Sequence, residues 1–312
     1  MQEVNKKLFN IIIVNWNSGN LLFNCIESII LNEKNANYEI IVVDNNSNDN
    51  SLLRVRKTKN IRFIKLDQNV GFAKACNIGA SYSNSKYLLF LNPDTTIFNK
   101  TISNTIKFLD NFNKEVGIIG IKLLDSKKMI SKTCSRFPTV INMISKIFNI
   151  QNLWPKFTSS LMLEFSGKDS RYVDQVIGAF FLVKKKLFDD LDGFDESFFV
   201  YYEEVDFSYR AYKRGYLSYY CADFSAFHEG GGCSSGNKPK RLFYNIRSKI
   251  IYAQKHFSLI NFYLLTLSAL IIEPLARLIE KIIKLKFQEI NEIYYAYKYI
   301  YKWFIKYFLE NF

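Results

Sequence analysis

Residues 87–95 read YLLFLNPDT, an unbroken apolar run that ends on the carboxylate of Asp94, with Pro93 stiffening the chain just before it. A strand without polar alternation is one buried on both faces, as in a parallel sheet covered by helices. Ligands of open α/β sheets collect at the carboxyl ends of such strands. An anionic oxygen at that edge can hold a divalent cation and, through it, a diphosphate. The same carboxylate could instead cap the next segment, beside Thr95 and Thr96.

Working outward, residues 9–14 and 38–43 are two more buried runs. The first is followed by the turn Asn17-Ser18-Gly19-Asn20 and a helix, the second by Asp44-Asn45-Asn46-Ser47. Residues 61–66 supply another strand, with Gly71 and a helix over 72–81 behind it. This β-α-β-α order with short loops predicts an α/β fold with a doubly wound, mostly parallel central sheet. Residues 116–130 read as antiparallel strands, whereas 136–167 is weakly patterned, as lids and acceptor loops often are. Residues 204–214 read as a helix closed by Gly215 in a left-handed turn. Residues 224–227 form a short strand that delivers His228 into a glycine-rich loop, and from 238 onward the chain reads as helical.

The 312 residues, 48% of them hydrophobic, suffice for a large core, and 42 Lys and Arg against 29 Asp and Glu give a formal charge of +13. Such a balance favours anionic partners: nucleic acid, an acidic membrane surface or phosphorylated substrates. Nucleic acid is set aside, because no helix-turn-helix, zinc-finger or RNA-binding signature accompanies the charge. The cysteines, Cys25, Cys76, Cys134, Cys221 and Cys233, are odd in number and not in metal-ligand pairs, which fits a reduced compartment. The N-terminus runs into its first strand without a signal-peptide pattern, so a cytoplasmic chain is expected. The most apolar later stretch, 257–272, contains Asn261 and is expected to stop at Glu273-Pro274, short of the roughly 20 residues that span a bilayer.

Seven segments now stand in order: IIIVNWNSG (11–19), EIIVVDNNSND (39–49), NVGFAKACNIGA (69–80), LLFLNPDT (88–95), VIGAFFLVKK (176–185), GFDESFFVYYEEVDF (193–207) and HEGGGCSS (228–235). Together they resemble the family 2 glycosyltransferases of bacterial cell-surface polysaccharide assembly, especially the rhamnosyltransferase-like branch. The resemblance implies a GT-A (Rossmann-like) nucleotide-diphospho-sugar transferase fold. A catalytic domain over 1–236 would divide into a nucleotide-sugar-binding half, 1–98, and an acceptor-binding half, 99–236, followed by a helical C-terminal extension, 237–312. It also implies an inverting, metal-dependent enzyme moving a sugar, with rhamnose a candidate, from a dTDP- or UDP-sugar donor to a hydroxyl of a growing, lipid-linked glycan.

Carried over residue by residue, the resemblance assigns Asp44, with Asn46 beside it, to the nucleotide base. The plain alternative is an Asx-turn closed by Asn45 and Ser47. Gly71, Phe72 and Asn77 would face the ribose or phosphates, where backbone amides and a helix N-terminus can approach an anion. Asp94 matches the last aspartate of an Asp-x-Asp metal motif whose first position is Asn92 here. His228 matches a further ligand to Mg²⁺ or Mn²⁺, although a lone histidine is more often structural. Inversion needs a general base for the acceptor hydroxyl. The family's base aligns with Glu204, where glutamate replaces aspartate and one methylene moves the carboxylate by about 1.5 Å. Neighbouring Glu203 is the second candidate, and the two point about 100° apart on a helix. Acids in a first turn also offset the macrodipole without any catalytic role, and Asp206 could serve only to orient Arg210. Asp195 and Glu196 match an acceptor-side segment and could equally form a simple turn. Lys74 is a minor candidate for the donor, and Ser234 and Ser235 could close over the diphosphate. The departures at Asn92 and Glu204 also motivate an alternative from another class, a catalytically idle homologue acting as a membrane-associated scaffold.

Lys298, Lys302 and Lys306 recur at four-residue spacing among the aromatic residues of 294–308. Aromatic residues and lysines on one helix suit a membrane interface, so a peripheral enzyme on the inner face of the cytoplasmic membrane is expected. The alternatives are a tail packed on the rest of the chain and a homodimer through the C-terminal helices.

Overall fold

The computed structural model describes residues 8–55, 58–112, 115–148, 159–162, 164–230 and 237–311. They group into two compact units: Met1–Phe137, Phe165–Phe199 and Glu203–Cys233 in the first, and Pro138–Glu164, Val200–Tyr202 and Ser234–Phe312 in the second. The expected boundary at residue 236 lies outside the described residues, as do Cys233, Ser234 and Ser235.

In the first unit, strands β1 (Phe9–Asn15), β2 (Tyr38–Asp44), β3 (Ile61–Lys65) and β4 (Tyr87–Leu91) run parallel in the order β3-β2-β1-β4. Helices α1 (Asn20–Asn32) and α2 (Phe72–Ser81) connect them. Every residue of β4 is buried, as its unbroken apolar run requires. Tyr87, Leu89 and Leu91 join the main core. Phe90 enters a second aromatic cluster, with ring centres 4.8 Å from Phe194 and 5.0 Å from Phe188. Beyond β4 the sheet becomes mixed. Strand β5 (Thr95–Ile97) follows directly, then α3 (Thr101–Asp110), β6 (Val116–Leu124), β7 (Cys134–Ser135), α4 (Val140–Ile147, which belongs to the second unit), β8 (Arg171–Val173), β9 (Gln175–Val176), β10 (Phe180–Lys184), α5 (Lys185–Asp190), α6 (Glu203–Lys213) and β11 (Leu217–His228). Strand β10 lies antiparallel between β4 and β6, and β11 pairs parallel with β6 and antiparallel with β5.

Two expectations change here. Residues 116–124 form one strand, parallel to β11 and antiparallel to β10, and antiparallel pairing within 116–130 itself is reduced to a bridge between Leu124 and Ile130. The short strand at 224–227 is the end of the twelve-residue β11, whose register shifts between Cys221 and Ser225. That irregularity bends the strand and re-aims its last residues.

The second unit is helical. Helix α7 (Lys238–His256) precedes α8 (Leu259–Leu267), a π-helical turn (Ser268–Ile272) and α9 (Glu273–Ile283), and α10 (Ile290–Asn311) ends the chain. The apolar helix does not stop at Glu273-Pro274: Leu259–Ile283 is one 25-residue run, long and apolar enough to cross a membrane by length and composition. Proline removes one backbone donor and crowds the preceding turn. The wide π turn ahead of Pro274 accommodates that disruption, and its carbonyls at Ala269 and Leu270 accept hydrogen bonds from Tyr297 and Tyr301. The tail helix α10 buries Ile293, Ala296, Tyr297 and Ile300, an i, i+3, i+4, i+7 face. Arg247 of α7 lies over its Trp303 ring, so the tail packs on its own unit.

Candidate active site

Strand β4 ends in a turn built to hold a carboxylate. The Asn92 amide donates to Ala179 O at 3.1 Å, the Thr95 amide donates to Asn92 O at 3.1 Å, and Asp94 is 7% exposed. Strand β5 then pairs with the end of β11, setting His228 opposite Thr95, while the Glu229 amide donates to Asp94 O at 3.1 Å. This register carries a side chain from 134 residues away to the end of β4, where His228 Nε2 lies 3.3 Å from Asp94 Oδ1. The imidazole nitrogen is buried and makes no hydrogen bond, so the register of β5 with β11, rather than a hydrogen bond to the carboxylate, sets this distance. Beside them, burial and the charge of Asp94 push the Cys25 thiol up, which makes it an inert neighbour.

A divalent ion fits this pair. Adjacent ligands of an octahedral ion with bonds of about 2.1 Å lie about 3 Å apart, close to the 3.3 Å observed. Among the described residues no third His, Cys, Asp or Glu completes a metal-binding group. The remaining positions would therefore fall to a diphosphate and water, an arrangement usual for Mg²⁺.

Glu203 and Glu204 open α6, whose approach is fixed by the left-handed residues Tyr201 and Tyr202 (φ 69° and 72°). Each carboxyl has a buried Oε2 without a hydrogen-bond partner. Burial pushes both pKa values up, and the charge of Glu204 raises Glu203 further. Glu204 also receives the backbone amide of Gly178, which favours its anion. The pair is therefore asymmetric: Glu203 holds a proton well above the usual carboxylate range, and Glu204 is the member set up to ionise. Gly178 adjoins Ala179, whose carbonyl also accepts from Asn92 and Thr95, so one short segment links the glutamates to the Asp94 turn.

The other acid in that first turn, Asp206, is fully buried and pairs with Arg210 at 2.7 Å. Arg210 also donates to Leu191 O at 2.6 Å and to Gly193 O at 2.8 Å. From the opposite side Asn77 donates to Phe194 O at 2.8 Å and to Glu196 Oε1 at 3.2 Å, and accepts from the Phe194 amide at 2.9 Å. The turn at 193–196 is thus gripped from two helices. Within it Asp195 accepts from the Ser197 amide at 2.8 Å, and Glu196 forms an exposed ion pair with Lys74 at 3.1 Å. Asn77 therefore positions the segment expected on the acceptor side, a contact across 117 residues.

On the nucleotide side, Asp44 is buried and accepts from Asn15 Nδ2 at 2.7 Å, with the Ser47 amide at 3.4 Å. Asn46 holds a left-handed φ of 60° at the turn. Gly71 has φ +90°, and a Cβ there would meet Phe199 O at 2.5 Å and the Phe199 ring at 2.8 Å. The Phe72 amide donates to that same Phe199 carbonyl at 2.5 Å. The glycine is thus required by a close protein approach, and the Phe72 N–H is engaged within the protein. The sequence reading missed Asn15 and gave Asn45 no more than a place in an Asx-turn. Asn15 ends β1 directly opposite Asp44 in the parallel register, a signal available once both runs are read as neighbouring strands. Asn45 accepts from the Val70 amide at 2.9 Å and donates to Asn69 Oδ1 and Gly71 O, shaping the turn before α2.

Residues 10–162 match the family model described as glycosyl transferase family 2. That segment belongs to this family. A dTDP-rhamnosyl transferase, RfbF, of Shigella flexneri is 24% identical over 242 residues, covering 74% of this chain and 76% of the relative. The rhamnosyltransferase WbbL of Escherichia coli K12 is 27% identical over 214 residues, covering 64% and 75%. A mannosyltransferase of Pyrobaculum calidifontis, solved with GDP-Man and Mn²⁺, superposes with a TM-score of 0.54 at 14% identity, covering 94% of this chain and 74% of that one. The fold is therefore GT-A with added C-terminal helices, and the protein is a glycosyltransferase; a nucleotide-sugar donor and a glycan acceptor are typical of its family.

Proposed function

We propose that this glycosyltransferase transfers a deoxyhexose, rhamnose in the first instance, from a dTDP-sugar to a hydroxyl of a lipid-linked surface glycan with inversion at the anomeric carbon. The observation that carries the reading is the meeting of His228 Nε2 and Asp94 Oδ1 at 3.3 Å, in the same unit as a buried carboxyl pair with unpartnered oxygens. Asp94 and His228 would hold a Mg²⁺ or Mn²⁺ ion, which when bound neutralises charge on the departing nucleoside diphosphate. Asp44 and Asn46, at the end of the neighbouring strand β2, receive the base. Glu204 takes the proton of the attacking hydroxyl, and Glu203, kept neutral, leaves that role to its neighbour. Asp195 and Glu196 border the acceptor, in a turn held by Arg210 and Asn77. The choice of rhamnose and dTDP rests on the relatives' names.

The test is nucleotide release from dTDP-rhamnose with Mn²⁺ and a lipid-linked glycan acceptor, with the product anomer read by NMR. Inverted product, lost on chelation and in Glu204→Gln, supports the reading. Retained anomeric configuration, or turnover untouched in Glu204→Gln, overturns it.

A further inference from the structure

The run Leu259–Ile283 is apolar on both sides, and only one side is covered. Phe262, Leu265, Ala269 and Leu270 are buried. Glu273, on that covered side, is 4% exposed and pairs with Lys249 at 2.5 Å and with Arg277 at 2.7 Å. Facing solvent is a second stripe: Ile260 (74% exposed), Leu264, Leu267, Ile271, Leu275, Ile279 and Ile282. Its spacing of three or four residues marks a single face, about 33 Å long at 1.5 Å per residue. Soluble surfaces rarely carry so long an unbroken apolar line, and such lines mark interaction sites.

Charge identifies the occupant. Residues 237–312 hold thirteen Lys and Arg against five Asp and Glu, which is +8 of the whole chain's +13. Lys281, Lys284 and Lys286 stand at the C-terminal end of the stripe and Lys255 just before its start. An apolar line within a cationic helical unit complements the acyl and headgroup layers of an anionic leaflet. The covered side decides the orientation. Crossing the bilayer would carry the Lys249–Glu273–Arg277 cluster into hydrocarbon, whereas lying flat leaves it packed inside the protein.

We propose that the exposed stripe Ile260 to Ile282 is a monotopic docking surface, lying in the plane of an anionic membrane leaflet and holding the protein there without spanning. It goes beyond the sugar-transfer reading and is independent of it, because vesicle binding needs neither donor nor metal.

The full chain is sedimented with vesicles of phosphatidylcholine containing 30% phosphatidylglycerol, with phosphatidylcholine alone and with no lipid. Binding to the anionic vesicles, weakened by salt, is expected. Ile260→Gln, Leu267→Gln, Ile271→Gln and Leu275→Gln combined should lower the partition coefficient more than about tenfold. To separate docking from folding, a second variant, Ile271→Trp, keeps the stripe apolar and places a fluorophore in it. Its emission should be quenched by lipids brominated on the acyl chains more than that of the parent protein, whose tryptophans are Trp16, Trp154 and Trp303. Unchanged binding by a folded quadruple variant overturns the proposal, as does bound Ile271→Trp without quenching. So does a stripe-dependent dimer that binds no vesicles, which would make the face a homodimer contact. Resistance of the bound protein to alkaline carbonate extraction overturns the in-plane orientation.

Discussion

Arg210 offers the sharpest check on how the site is assembled. Its guanidinium neutralises Asp206, which is fully buried, and donates to two carbonyls of the 191–193 segment. In Arg210→Ala the carboxylate loses its cation in a desolvated place, for which about 3–5 kcal/mol is typical. Arg210 is itself 22% exposed, so water reaches part of the gap and the lower end, about 3 kcal/mol, is expected. With a urea dependence of about 1–3 kcal/mol per molar, the unfolding midpoint should fall by about 1 M or more. Removing both charges, Asp206→Asn with Arg210→Ala, should be milder than the sum of the two single changes, with coupling of about 2 kcal/mol or more. Urea titration followed by circular dichroism measures all four proteins. A loss below about 1 kcal/mol in Arg210→Ala, or an additive cycle, would refute the idea that this ion pair anchors the 193–196 turn.

The raised glutamate pair predicts an acid limb in kcat/KM displaced above the ordinary carboxylate range, near 4.3 for Glu, with activity lost as pH falls through it. A carboxyl whose folded pKa is raised binds its proton more tightly in the native state, so its stability contribution is greatest at low pH and declines as pH rises through the folded pKa. Glu203→Gln, a mimic of the protonated form, should flatten that decline and keep most activity, whereas Glu204→Gln should lose at least about a hundredfold, in pH-resolved initial rates and melts. Asp94→Ala and His228→Ala should each raise the Mn²⁺ concentration needed for half-maximal turnover at least about tenfold, and chelation should abolish turnover. Gly71→Ala, which drives a methyl into Phe199 at a positive φ, should destabilise by about 2–4 kcal/mol in the same urea assay.

Much of this was readable before any coordinates, because burial leaves a local trace. The apolar runs at 9–14, 38–43 and 87–91 had no polar alternation, and each is a strand covered on both faces. What a local reading lacks is the partner of a side chain. Gly71 and Asn77 read as groups turned toward a ligand, since a glycine before a helix start and a side-chain amide on that helix have that use. Their neighbours are Phe199 and the 193–196 turn, more than a hundred residues on. The proximity of His228 and Asp94 likewise depends on the antiparallel register of β5 with β11, and on an irregularity that no local pattern announces. Pro274 shows the converse: read locally it ends a helix, while tyrosines from α10 hold the widened turn ahead of it.

That widened turn at Ser268–Ile272 also sets a phase. A π turn carries about one more residue than the α turn it replaces. Deleting a single residue there would restore regular α winding and leave the downstream phase nearly unchanged, whereas inserting one would rotate everything downstream by about 100°. With an insertion, Leu275, Ile279 and Ile282 would swing away from Ile260, Leu264 and Leu267, and Glu273 would turn from Lys249. The helix can therefore lose one residue at this turn but not gain one, and insertions should be tolerated in the connection near 284–289 far better than within it.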